Sequence, residues 1–416
     1  MFSINTTPPD PELLGDSWRE VWHRRLKSSG LWLEQWLEHQ HRDEFYQHGS
    51  VCENYDDIEC AVYAVGGWAD GYSNSIFRLL PNMSAPCKGL IGPWAHLYPH
   101  FGAPGPAIGF LQECLRWWDH WLKGIDAGIM DEPVLRCWMQ DSAPPKPQYV
   151  TRPGRWVAED QWPSPNIQNQ VFYVGENSLS AERESPAEIS IQSPQTIGRA
   201  AGVWCPHSVD PDQAGDQRFE AGGSVNFDTD VLEENLEILG APAVELKLAS
   251  NRPDALIAAC LNEVLPDGAV TRISYGILNL THRESHSNPQ PLAVGQPYAI
   301  RIQLNEIAHS FSAGSRIRLS LSNAYWPTVW PSPENTELIL STSNSTLTLP
   351  VRKPKESDSD LAPFPEPEGA SPLAKTAIRE PNSEFTITED IRSGEVVVRN
   401  WYDEGKTVYD LSLIHI

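Results

Sequence analysis

Basic side chains are scarce. Lysine and arginine together number 31 against 55 aspartates and glutamates, a formal net charge of −24 over 416 residues. An acidic balance of that size disfavours nucleic acid and anionic membrane surfaces as partners. Closely spaced cysteines are missing too. The seven (Cys52, Cys60, Cys87, Cys114, Cys137, Cys205, Cys260) form no C-x-x-C pair and are odd in number. That speaks against a disulfide framework and against a zinc site, so buried or half-buried free thiols in a reducing compartment are expected, with no metal and no cofactor. No run approaches the ~20 apolar residues of a membrane span, and nothing repeats at a fixed period. The opening stretch "MFSINTTPPDPELLG" has no basic region followed by an apolar one. No secretory leader is therefore expected, and the expected location is cytoplasmic.

What is present begins with helical patterning. In "DSWREVWHRRLK", Ser17 and Glu20 have capping-box spacing, and Trp18, Val21, Trp22 and Leu26 fall on one helical face. "LWLEQWLEHQHRDEFY" predicts a second amphipathic helix through Leu33, Trp36, Leu37 and Phe45. "GFLQECLRWWDHWLKG" predicts a third, with Leu111, Leu115, Trp118 and Leu122 as its stripe and Gly124 as C-cap. These tryptophan-rich faces are expected to be core. Two short strands, 61–65 and 89–91, lie between the second and third helices.

Past residue 132 the period changes from 3.6 to 2. "VELKLAS", "YAIRIQL" and "RIRLSLS" alternate apolar and polar, and "PDG" at 266–268 marks a turn between two such runs. Many short alternating strands predict a β-sandwich or jelly roll. The stretch 351–372, rich in Pro, Ser and acid, reads as a long surface loop or linker. Strand-like runs follow around 385–388 and 396–398, and the chain stops at "DLSLIHI" in the middle of a strand pattern.

Two motifs carry chemistry. "GGWADGY" sets Asp70 just after one predicted strand, and "GLIGPWAH" sets His96 just after the next. The separation, 96 − 70 = 26 residues, suits a strand–helix–strand crossover, with "NSIFRLLPN" as the helix. The two side chains would then stand in adjacent loops at the carboxyl edge of a parallel sheet, where sites are built. A carboxylate that holds one imidazole nitrogen leaves the other free to take a proton from a nucleophile. Residue type and spacing alone leave a second reading open: a turn aspartate before Gly71 and a satisfied loop histidine.

The stretches "YAVGGWADGYSNSI", "GLIGPWAHLYPH" and "GFLQECLRWWDHWLKGIDAGIMDEPVLRCWMQDS" resemble those of the Xaa-Pro dipeptidyl-peptidase and cocaine-esterase-like acyl hydrolases. So do "DGAVTRISYGILNLTHR" and "FSAGSRIRLSLSNAYWPTVWPSPE". The resemblance runs over most of the chain from about residue 17. It implies an α/β plus all-β architecture: a partial α/β-hydrolase domain with a helical cap remnant, then a jelly-roll β-sandwich. Residues 1–55 would be the cap remnant, 56–131 the last part of the hydrolase domain, and 132–416 the sandwich, incomplete at its C-terminus. It implies a serine-type acyl hydrolase acting on small esters or short Xaa-Pro peptides, with homo-oligomerisation left open. By position, Asp70 matches the triad acid and His96 the triad base. Tyr72 falls where an aromatic side chain lines the acyl pocket in some relatives, and an ordinary core or surface tyrosine is the other reading.

The departure is the nucleophile. The resemblance calls for a serine upstream of the acid in a Gly-x-Ser-x-Gly or Gly-x-Ser-x-x-Gly elbow. The upstream serines are Ser3, Ser17, Ser28, Ser29 and Ser50, and none is flanked that way. Ser73 has a glycine two before it but follows the acid and is expected to open the crossover helix. The chain is therefore read as a fragment that lacks its nucleophile and is inactive as it stands. Its first third is expected to be loosely folded beside a better-formed sandwich. A competing reading is a non-catalytic sandwich that binds through exposed aromatics such as Tyr325, Trp326 and Trp330. A metal hydrolase using His39 and His41 is disfavoured, because residues two apart on a helix point to different sides.

Overall fold

The computed structural model describes residues 6–208 and 210–409. Ser3 and the tail "DLSLIHI" lie outside the described residues. The chain divides into two compact units, Met1–Glu53 with Glu284–Pro289, and Asn54–Arg283 with Gln290–Ile416.

The smaller unit carries helices α1 (Trp18–Ser28) and α2 (Trp32–Glu38). The expected capping box does not form. A 3-10 turn, Gly15–Ser17, runs straight into α1, so Ser17 is already helical and its hydroxyl donates back to the Leu14 carbonyl. Neither helix buries a residue, and Leu33, Trp36 and Leu37 are exposed, against the expectation of a core stripe. Helices this short, in so small a unit, cannot enclose an apolar face by themselves. α2 also stops before the expected Phe45. His39 sits at its C-cap, stacks on Phe45 and meets Asp43 at 2.6 Å, while His41 follows in a loop. The two histidines therefore never share a helix.

The larger unit holds the crossover that the spacing predicts. Strands β1 (Val62–Gly67) and β2 (Cys87–Gly92) pair in parallel, from Val62 opposite Cys87 to Gly67 opposite Gly92. Helix α3 (Asn74–Leu79) connects them and buries Ile76 and Phe77. Helix α4 (Phe110–Lys123) ends at Gly124, whose left-handed backbone (φ 66°) lets its N–H reach the last carbonyls. The face of α4 corrects the expected one. Leu111, Leu115, Trp118 and Leu122 are 44–74% exposed, whereas Trp117 is buried against Tyr63 and Glu113 is buried beside Arg116. Phe110, Cys114, Trp117 and Trp121 also recur at helical spacing, so periodicity alone could not choose between the two stripes.

The parallel sheet does not end where the period changes. Strand β3 (Leu135–Asp141) adds in parallel to β2, and β4 (Gly154–Glu159) pairs antiparallel with β3. β3 also meets Ile307–Phe311 in parallel, which joins these strands to the antiparallel ones of a twelve-stranded mixed sheet. A separate antiparallel sheet holds Val225–Asp228, Leu256–Val264, Val270–Asn279 and Arg316–Ser322. One core spans both sheets, drawing Leu246, Ile300 and Leu340 from the first and Leu261, Leu319 and Phe227 from the second. The "PDG" turn connects two strands of the smaller sheet, with Gly268 at φ 85°.

From residue 353 the 351–372 stretch runs largely over the surface, and it is anchored at several points. Arg352 is fully buried and contacts Glu159, Glu237 and Asp358. Phe364 packs on Trp156, and the Pro365 carbonyl accepts the Gly109 N–H at 2.7 Å. Beyond it the expected strand runs form two small antiparallel pairs, Lys375–Arg379 with Lys406–Tyr409 and Asn382–Glu389 with Val396–Asp403. All seven cysteines are unbridged, and Cys52 and Cys60 are exposed rather than buried. No helix among the described residues is long and apolar enough to cross a membrane.

Candidate active site

The site is built by the way β1 and β2 end. Beyond the strands the ladder continues for two more bonds, Trp68 N–H to the Gly92 carbonyl at 2.9 Å and Ala69 N–H to the Trp94 carbonyl at 3.1 Å. Gly67 permits this approach, since a Cβ there would lie 1.9 Å from the Trp94 oxygen. The Trp68 indole N–H donates to the Trp138 carbonyl on β3 and fixes the tip from beneath. The two tips carry Asp70 and His96, which the sequence placed on neighbouring loops.

Asp70 Oδ2 and His96 Nδ1 are 3.0 Å apart. Asp70 Oδ1 accepts the Tyr72 N–H at 3.0 Å, an Asx turn that orients the carboxylate. The side chain of Asp70 is 14% exposed and that of His96 49%. A shielded carboxylate facing an open imidazole selects the tautomer with a proton on Nδ1 and leaves the Nε2 lone pair available. The Tyr72 ring lies 5.8 Å from the His96 ring, so all three residues singled out from the sequence come together.

A third loop completes the surroundings. The Pro206 carbonyl accepts the His96 N–H at 2.8 Å. This seats Trp204 edge-on to Tyr72 at 5.3 Å, His207 edge-on to His96 at 5.4 Å, and Cys205 Sγ 3.9 Å from Asp70 Oδ1. Burial pushes the Cys205 thiol up, and the Asp70 carboxylate adds to that, so it stays protonated rather than acting as a thiolate nucleophile. Sequence reasoning missed Trp204, Cys205 and His207. They follow Asp70 by more than a hundred residues, in a stretch without a regular period, and no local signal marked them.

No serine or threonine hydroxyl among the described residues hydrogen-bonds to His96. Ser73 is buried and opens α3. Ser17, Ser28 and Ser50 donate to the nearby carbonyls of Leu14, Arg24 and Tyr46. Of the aromatics offered as a binding surface, Tyr325 is buried with its hydroxyl bonded to Arg272, and Trp330 is exposed.

Asp70 also lines a cavity of about 150 Å³, together with Trp68, Arg152, Tyr275, Glu306 and His309. Burial pushes Glu306 up to about 7. Burial also acts to raise Glu263, the partner of His309, but hydrogen bonds from His309 and Ser312 win and hold that carboxyl at about 2.

The description of the X-Pro dipeptidyl-peptidase C-terminal non-catalytic domain matches residues 127–360, more than half of the chain. The chain belongs to the X-Pro dipeptidyl-peptidase family. A second description, X-Pro dipeptidyl-peptidase (S15 family), matches residues 6–98, which include Asp70, Tyr72 and His96. This family member is 22% identical over 320 residues to the cocaine esterase of Rhodococcus sp. (strain MB1 Bresler), covering 71% of this chain and 54% of the esterase. It spans about half the length of the curated relatives it matches. Among solved structures it is similar to a CocE/NonD family hydrolase from Staphylococcus aureus. The TM-score is 0.61 at 14% identity, covering 80% of this chain and 62% of the other. An alpha-amino acid ester hydrolase gives a TM-score of 0.60 at 20% identity, with the same coverage. These structural likenesses establish the hydrolase fold.

Proposed function

We propose that this member of a hydrolase family carries the acid and base of a serine-type acyl hydrolase, with Asp70 as the orienting carboxylate and His96 as the general base. The observation that carries the reading is the 3.0 Å contact between Asp70 Oδ2 and His96 Nδ1, with Nε2 uncommitted. Nε2 would take the proton of an attacking serine, and Asp70 would stabilise the imidazolium that forms. Tyr72 and Trp204 would border the acyl group. The serine would come from polypeptide outside these 416 residues, so the chain alone would be inert; loss of the serine in such a triad costs about 10⁶ in rate. On this reading residues 1–55 are a cap remnant, 56–131 the end of an α/β-hydrolase domain and 132–416 a jelly-roll sandwich. The substrate is a small ester or a short peptide, with no nucleic acid or membrane partner. The enzyme works in a reducing, cytoplasmic setting and tolerates self-association.

The test is fluorophosphonate labelling together with p-nitrophenyl ester hydrolysis. It compares this chain with a longer one that includes whatever coding sequence precedes Met1. The short chain should neither label nor turn over, and the longer one should do both. In the longer chain Asp70→Asn should lower kcat about 10⁴-fold. Labelling of a serine within the 416 residues, or an active longer chain indifferent to His96→Ala, refutes the assignment.

A further inference from the structure

We propose that Asp70, His96 and Cys205 form a binding site for a thiophilic divalent cation, Zn²⁺ or its surrogate Co²⁺, which displaces the hydrogen bond between Asp70 and His96. A carboxylate oxygen, an imidazole nitrogen and a thiol sulfur, one from each residue, all lie within 4.8 Å of one another. Tetrahedral zinc, with Zn–S about 2.3 Å and Zn–N or Zn–O about 2.0 Å, places its donors about 3.5 Å apart. The 3.9 Å between Cys205 Sγ and Asp70 Oδ1 has to close by a few tenths of an ångström, and a donor pair at the 4.8 Å limit of the cluster by about 1.3 Å. The donor set is mixed and soft, which suits Zn²⁺ and Co²⁺ and rejects Mg²⁺ and Ca²⁺.

The donors are also held in place. The Asp70 carboxylate is fixed by the Tyr72 N–H. The loop bearing Cys205 is tied on both sides, by the His96 N–H to the Pro206 carbonyl and by the Val203 N–H to the Asp212 carbonyl. Gly71 has no side chain, and a Cβ there would press on the Trp204 ring at 2.9 Å. Preformed ligands of this kind spare the ordering cost of binding. Three protein donors leave a fourth position toward solvent, on the half-exposed side of His96. The spacing in sequence conceals the site, because 135 residues separate Asp70 from Cys205.

Metal binding releases one proton to solvent, from the Cys205 thiol; the neutral imidazole keeps its own proton, which sits on whichever ring nitrogen does not ligate. A cation held there removes the Asp70–His96 hydrogen bond, so the pair cannot serve as acid and base while it is bound. That consequence rests on the proposed hydrolase reading; the binding itself does not.

The purified 416-residue chain is titrated with CoCl₂ while the near-ultraviolet thiolate-to-cobalt charge-transfer band is followed, and far-UV circular dichroism checks that each variant is folded. The expected result is one Co²⁺ per chain, displaced by Zn²⁺, with the band abolished by Cys205→Ser. Asp70→Asn and His96→Gln should each weaken Co²⁺ binding about a hundredfold, while Cys52→Ser and Cys60→Ser change nothing. A band that survives Cys205→Ser, or an affinity indifferent to both Asp70→Asn and His96→Gln, overturns the site. Because the readout is spectroscopic, it stands or falls apart from esterase activity.

Discussion

Glu306 is a carboxylate that burial leaves at odds with water. Its Oε2 has no hydrogen-bond partner among the described residues, and Arg78 offsets only part of the burial that pushes it up to about 7. An unfolded glutamate titrates near 4.5. Between those two values the folded chain still binds a proton that the unfolded chain has released, so this group's contribution to stability falls as pH rises from 4.5 through 7. Glu306→Gln removes that dependence. The variant should match the parent below pH 4.5 and exceed it at pH 8 by up to about 3 kcal/mol, taking 1.36 kcal/mol per unit of pKa. Urea midpoints at the two pH values check it; a variant weaker than the parent at pH 8 refutes it. At this scale Asp70 and His96 were legible because each ends an apolar run, a local signal. Glu306 and Cys205 were not. Their surroundings come from chain segments far away in sequence, and burial made by distant segments leaves no local pattern.

Elements bring those side chains within reach, and the closest fit is at Gly67. Any side chain there strikes the backbone oxygen of Trp94, which is not a flexible group and cannot rotate away. Gly67→Ala should spread the tips of β1 and β2 and break the Trp68–Gly92 and Ala69–Trp94 bonds, at a cost of about 1–3 kcal/mol. In a histidine-labelled NMR spectrum the His96 ring should shift toward that of a solvated imidazole. An unshifted ring would mean that the tips tolerate the extra methyl group. A second element-level anchor is Arg352, at the end of the strand Leu338–Arg352. It ties Glu159 on β4 to Glu237 and Asp358 with no exposure of its own. Arg352→Met takes away the one cation shared by Glu159, Glu237 and Asp358, leaving Glu159 to Ser164 and Lys355, Glu237 to Arg155 and Asp358 to backbone N–H groups, and should cost about 3 kcal/mol in urea unfolding. The crossover and the alternating strands were legible from periodicity. The buried face of α4 was not, because two apolar stripes compete on that helix and only the sheet beneath it decides between them. Arg352 was hidden as well, since a proline- and acid-rich stretch looks the same whether it is free or pinned by one buried cation.

For the whole molecule, the sequence suggested a weak first third, ending near residue 131. β1, β2 and β3 belong to the twelve-stranded sheet, and core residues of β2 and β3, Ile91, Leu135 and Met139, share a cluster with Leu246 and Leu319. Stability is shared across such a cluster, so these strands should unfold with the antiparallel strands of both sheets. The smaller unit differs, because neither α1 nor α2 buries a residue. Far-UV circular dichroism in urea should therefore show an early loss of helix, followed by one cooperative transition of the larger unit. Limited proteolysis should cut within residues 6–53 first and leave a core that begins near Asn54, still holding the Asp70–His96 pair. The hydrogen bonds that continue from Gly67 to Ala69 make the strand tips part of that core. A protease that released residues 62–96 while the sandwich stayed folded would show that the two tips are not braced by the sheet, and the geometry of the pair would lose its support.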